Sequence, residues 1–336
     1  MNNIEHYRKY FEEKEKSKLY NSLVYVHKLE KKSDEVHDRC LNELLDAIEL
    51  SLSRNIASKD NPYHDMNKLL RPIELQRFRS KLKKFLEKLE AQENKSLVSK
   101  INRLHSKARI SHLDELNIEI DVIINEMHEE LLKGTTELLK DTVKQNYEKT
   151  GYNFHKFIGL VIGFKVLGEP VIEKVLKYPW SGLNYSDRIS KNINSLKASV
   201  KEEVIKTLAQ RKEMTEINKT LSKRFKGHSK VFKKLINTEQ AYMLVKASEM
   251  AYSELGMDSY EYIATLDNRT CNSCRGLDGR VFKFKDAQVG LNFPPIHPMD
   301  RCSIAPVIDI NSINTKKYSK IPKDISFSKW EKEYYK

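Results

Sequence analysis

The stretch "SDRISKNINSLKASVKEEVIKTL", residues 186–208, sets Ile189, Ile193, Leu196, Val200, Val204 and Leu208 at steps of three and four. That spacing returns to one face of an α-helix at every turn, so one side is core and the polar remainder is surface. The preceding "KYPWSGLNYS", residues 177–186, interrupts helix with Pro179, Gly182 and Asn184 and offers Ser186 as the next N-cap. Downstream, "MTEINKTLSKRF", residues 214–225, repeats the stripe with Met214, Ile217, Leu221 and Phe225. A third helix is expected over roughly 229–255, with Gly256 just past its end. Three helices in series with short connections predict an antiparallel packed bundle.

Upstream, "RPIELQRFRSKLKKFLEKLEA", residues 71–91, carries Phe78, Leu82, Phe85 and Leu89 on one face and Arg77, Arg79, Lys81, Lys83, Lys84 and Lys88 on the rest. Leu113, Leu116, Ile120, Ile123, Met127 and Leu131 form a longer stripe. Both read as helices that turn their apolar side to a core. The most apolar run, "FIGLVIGF" at 157–164, falls far short of the roughly 20 residues a membrane helix needs and reads as a buried strand or helix segment. The start of the chain is charged, without the basic, apolar and small-residue regions of a secretory leader, so a cytoplasmic site of synthesis is expected.

Hydrophobic residues make up 39% of the 336 residues and charged ones 32%, with 11 Gly and 9 Pro, a balance that suits a helical protein over a β-sandwich or a disordered chain. Lys and Arg number 60 against 47 Asp and Glu, a net charge of +13 that favours a polyanionic partner. The excess is spread along the chain, which argues against a single basic DNA-reading tail.

After Gly256 the texture changes. "YEYIATLD" (260–267) and "RVFKFKD" (280–286) have the aromatic and β-branched content of short strands, with turns supplied by Gly276, Gly279, Gly290 and Pro294-Pro295. So small a module cannot build a large core, and a staple is expected. Cys271 and Cys274 stand two residues apart, and His297 and Cys302 follow on a second loop. Two pairs of sulfur and imidazole donors make a tetrahedral zinc set of Cys271, Cys274, His297 and Cys302, with Asp300 outside that set or at the surface. A redox pair would need Cys271 and Cys274 at a helix start in a β-α-β setting, whereas "RGLDGR" after Cys274 reads as a turn. A zinc deaminase would need H-x-E and P-C-x-x-C; His128 and Glu130 lie far from Cys271, and Thr270 replaces the proline. With four protein donors the site is closed, and no catalytic residues are assigned. Cys40 reads as an ordinary half-buried thiol, and Phe327, Trp330 and Tyr334 as the apolar face of a short docking segment or tail.

The fold class is therefore mainly α: a helical N-terminal domain over 1–165, a helical core over 166–256, a small turn-rich α+β zinc-stapled module over 257–310, and a tail or docking segment over 311–336. "WSGLNYSDRI" (180–189), "NTEQAY" (237–242), "TLDNRTCNSC" (265–274), "LDGRVF" (277–282) and "PPIHPMDRC" (294–302) occur in an order that resembles the phage head morphogenesis, or minor head protein, family that includes the Mu F-like proteins. Asp267, Arg269, Thr270, Cys271, Cys274, His297, Pro298, Arg301 and Cys302 match the family pattern, while Asp300 stands where the family usually has Cys, and Asn237 where Arg is frequent. The resemblance, over 180–308, implies a late, non-enzymatic minor capsid protein in the virion, inside the capsid near the portal, and in the host cytoplasm during assembly. Its implied partners are the phage portal protein, scaffold or major capsid protein, and double-stranded DNA bound without sequence preference and handled or ejected at the portal; no membrane is expected in the mature head. The alternative is a zinc-dependent DNA-processing nuclease or hydrolase.

Overall fold

Helical periodicity governs most of the described residues, which are 3–55, 62–90, 94–210, 212–308 and 317–335 in this computed structural model. In chain order these are α1 (Asn3–Asn55), α2 (Pro62–Met66), α3 (Pro72–Glu90), α4 (Lys95–His105), α5 (His112–Ile158), β1 (Leu160–Val161), α6 (Glu169–Lys177), α7 (Tyr185–Ala209) and α8 (Met214–Glu254). They are followed by β2 (Ser259–Ile263), α9 (Asn272–Leu277), β3 (Val281–Lys283), a 3-10 turn at Phe284–Asp286, β4 (Ser303–Pro306), β5 (Ser319–Lys320) and α10 (Phe327–Tyr334). The mainly α class with a small strand-bearing C-terminal region is thus observed. Among the described residues, no helix is long and apolar enough to cross a membrane.

The chain forms two compact units, each assembled from separated stretches: Met1–Glu30, Gly134–Tyr185 and Lys233–Lys336 in the first, Lys31–Lys133 and Ser186–Phe232 in the second. In the second unit the α3 stripe is buried as its spacing requires, with Phe78, Leu82 and Leu89 meeting Leu97, Ile101 and Leu104 of α4 and Ile118 and Val122 of α5. The outer face of α3 is not uniformly free cation, because Lys81 reaches Glu119 and Lys88 reaches Glu126, each at 2.6 Å. The start of α5 is a capping box: Ser111 Oγ accepts the Asp114 amide at 3.1 Å and the Asp114 carboxylate accepts the Ser111 amide at 3.1 Å.

The helices expected at 214–225 and 229–255 are one continuous α8, so two helices, α7 and α8, replace the expected three. The apolar stripe is interrupted at His228 and Ser229, yet both face protein: His228 Nδ1 lies 2.8 Å from His37 Nε2, and the Ser229 hydroxyl donates to Asp34 at 2.6 Å. Ser186 is not the cap of α7, which begins at Tyr185. The run 157–164 is divided by Gly159, whose φ of 70° ends α5 in the left-handed region before β1.

In the first unit, β2 is the central strand of an antiparallel sheet ordered β3-β2-β4. Tyr260 pairs with Phe282 and Pro306, and Tyr262 with Ile304. The C-terminal segment packs on its own protein: Trp330 on α10 is fully buried, donates from Nε1 to His155 Nδ1 at 3.0 Å and stacks on Tyr335. Cys40, in the second unit, is buried rather than half-exposed, and burial raises its thiol pKa far above the ordinary range.

Candidate metal centre

The sheet brings two loops of the first unit together. One leaves β2 and carries Cys271 and Cys274; the other precedes β4 and carries His297, Asp300 and Cys302. The "RGLDGR" read as a turn is one only at Asp278-Gly279: residues 275–277 end the six-residue α9, capped by Cys271, whose sulfur accepts the Cys274 amide at 3.4 Å. The pair therefore does sit at a helix start, although the sheet it joins is antiparallel and no β-α-β unit surrounds it. All four cysteines are free thiols.

The donor atoms form two overlapping triplets. Cys271, Cys274 and His297 lie within 4.8 Å of one another, as do Cys274, Asp300 and Cys302. Cys274 belongs to both and is buried, with Sγ 3.5 Å from His297 Nε2. A sulfur and an imidazole nitrogen on one tetrahedral zinc stand about 3.6 Å apart, given bonds of about 2.3 and 2.05 Å. His297 Nδ1 lies 3.0 Å from the Pro298 carbonyl, which fixes the tautomer that leaves Nε2 free to bind a metal. The Tyr262 hydroxyl donates to Cys274 Sγ at 3.6 Å.

Asp300 is 4% exposed, which removes the surface placement considered from sequence. Its Oδ1 accepts the Cys302 amide at 3.0 Å and its Oδ2 the Ile296 amide at 2.7 Å, so both oxygens already shape the second loop. The structure thus brings Cys271, Cys274 and His297 together in one group and Cys274, Cys302 and Asp300 in the other, with Cys274 as the shared member.

The site's electrostatics follow from this crowding. Amide donation from Cys274 lowers the Cys271 thiol pKa. Burial raises Cys274 to about 11 and, with the nearby Asp300 carboxylate, drives Cys302 well above the ordinary thiol range. His297 is raised, first by the Pro298 carbonyl. Burial favours the protonated thiols of Cys274 and Cys302, and a divalent ion would offset that cost by keeping them as thiolates. The thiol and imidazole donor chemistry and the 3.5 Å separation of Cys274 Sγ and His297 Nε2 are compatible with a zinc ion.

Residues around the donors tie the two loops together. The Asp267 carboxylate accepts both Arg301 guanidinium nitrogens, at 2.7 and 2.9 Å, and also the Arg269 amide at 2.8 Å. The Thr270 hydroxyl accepts the Asp267 amide at 2.8 Å, and the Thr265 hydroxyl donates to the Arg301 carbonyl at 2.6 Å. The Arg301 bonds hold Asp267 far below the usual carboxylate range. Between His297 and Asp300 a turn closes at 3.2 Å, with Pro298 second and Met299 third at φ 60°, a position that ordinarily favours glycine.

Sequence reasoning missed Tyr262, Asp278 and Arg8. Asp278 Oδ1 accepts the Ala264 amide at 2.9 Å, and Arg8 of α1 bonds Glu261 at 3.1 Å and Asp278 at 3.0 Å. A bidentate-capable Arg near the start of the chain carries no local signal of a partner so distant in sequence.

The geometry defines a small antiparallel module clamped around a sulfur and histidine donor set. Residues 198–305 match the family model described as Phage Mu protein F like protein, in agreement with the resemblance read from the sequence. The match is well short of half the chain; it begins inside α7, leaving "WSGLNYSDRI" outside, and ends within β4. This family suggests a phage head morphogenesis protein. No curated protein and no solved structure matches the chain.

Proposed function

We propose that the protein is a minor capsid component of a tailed phage head, acting at the portal as a structural rather than catalytic protein. The Mu F-like match carries this reading, because it covers Cys271, Cys274, His297 and Cys302 and most of the module around them. Zinc held by Cys271, Cys274, His297 and Cys302 would make the module rigid without a large core. The rigid module then presents a fixed surface to the portal protein or to neighbouring scaffold or capsid subunits. The net charge of +13 supports sequence-independent contact with packaged double-stranded DNA during its handling or ejection. Virion placement follows from the same reading.

The test is mass spectrometry of purified phage heads together with a pull-down on portal protein under assembly conditions. Presence in heads at low copy and capture by portal are expected. Absence from both overturns the proposal.

A further inference from the structure

The second unit contains an open cleft of about 510 Å³ lined by α4, α5 and α7. A volume of this size suits a nucleotide-sized ligand. Its wall is polar and cationic: Lys100, Arg103 and Lys197 line it, with hydroxyl and amide donors from Ser96, Ser99 and Asn194. One buried carboxylate, Asp121, lies in the wall and is already bonded by Lys100 and by Lys201 of α7. At another edge, His128 Nε2 lies 3.1 Å from the Ser190 hydroxyl, and Glu129 is 3.4 Å from His128 Nδ1.

The cations are not all spent on Asp121. Among the described residues, neither Lys197 nor Arg103 has an ion-pair partner, although Lys197 is half-buried. Burial lowers the Lys197 ammonium pKa, and Asp121 offsets only part of that fall, the expected cost of a cation held out of water without its own anion. An anion with several acceptor oxygens would engage both side chains and the neighbouring hydroxyl and amide donors at once.

We propose that this cleft binds a phosphate ester, with Lys197 and Arg103 as its principal charge contacts. A nucleic-acid backbone and a free nucleotide share that chemistry. The backbone source deepens, and rests on, the DNA contact proposed above; the phosphate site itself does not depend on it.

The experiment measures binding of the full chain to a short labelled DNA duplex by anisotropy, and to dAMP by calorimetry, over about 50 to 200 mM salt. Lys197→Gln with Arg103→Gln is compared with Lys83→Gln with Lys84→Gln, an equal loss of charge on exposed α3 positions. Circular dichroism and thermal melting confirm that both variants fold. If the cleft pair melts early, Asn194→Asp, which sets a repelling charge at the mouth, takes its place. The cleft pair should weaken duplex binding roughly tenfold beyond the control and reduce the salt slope by about 1 for each phosphate that the variant no longer neutralises. Loss of dAMP binding alone, with no duplex binding by the wild type, supports the phosphate site and sinks the DNA reading. Duplex and dAMP binding that fail to distinguish the cleft pair from the control overturn the site, and duplex binding by the wild type then leaves the DNA reading standing. A polyglutamate peptide that binds more tightly than either phosphate ligand, and is the ligand weakened in the cleft pair, overturns the proposal in favour of an acidic protein partner.

Discussion

The α3–α4–α5 packing of the second unit and the small C-terminal module of the first are stabilised by different physics. In the former, ten buried apolar side chains from Leu70 to Val122 form one cluster, and burial of area does the work. In the latter, among the described residues, the cluster around the donors has four buried members, Tyr262, Ala264, Cys274 and Cys302. Position there is set by directed bonds: Asp267 to Arg301, Asp300 to two amides, Arg8 to Asp278. A core tolerates substitutions that keep its volume, whereas directed bonds and metal donors tolerate no change of atom type.

That contrast can be broken most severely at Cys274, the donor common to both triplets. Cys274→Ser is expected to reduce zinc from about one per chain to well below it and to open 257–308 to hydrogen exchange, while amides of α3 and α5 keep their protection. Retained zinc and protection would show that the module stands without the donor. Leu82→Ala should act in the opposite place, costing about 2–5 kcal/mol in denaturant unfolding and leaving zinc content unchanged. A coupled loss of metal would contradict the separation.

Asp267→Asn is expected to lower zinc affinity by about tenfold, in titration against a chelating indicator, because Arg301 no longer orders the loop that carries Cys302. The sign of its pH dependence follows from the lowered pKa. With the folded carboxylate held below its unfolded value, the clamp is present at neutral pH and is lost as pH falls through the acid range below ordinary carboxylates. A module whose acid transition is the same in wild type and Asp267→Asn would contradict this. The smallest effect belongs to Gly227, inside α8 with nothing within 4 Å of an added Cβ. Gly227→Ala should raise stability by about 0.5–1 kcal/mol if α8 is continuous there, and should lower it if the chain breaks.

The donors were legible in the sequence because metal chemistry needs particular atoms at short spacing, and Cys271, Cys274, His297 and Cys302 announce themselves. The α3 and α7 stripes were legible for the same reason of period. The continuity of α8 was not, because His228 and Ser229 occupy core positions whose partners, His37 and Asp34, come from α1. Nor was α9 legible: its six residues include Gly276, and its cap is a cysteine sulfur in place of the usual oxygen. Arg8 and Asp278 meet across 270 residues of sequence, and no local pattern encodes such a pairing.

Hydrogen exchange read by mass spectrometry, with and without a strong zinc chelator, tests most directly the claim that metal donors hold the small module. The account predicts that chelation strips protection from 257–308 and leaves α3 and α5 unchanged, with zinc restoring it. Unchanged exchange throughout, in protein shown to contain no metal, would contradict it.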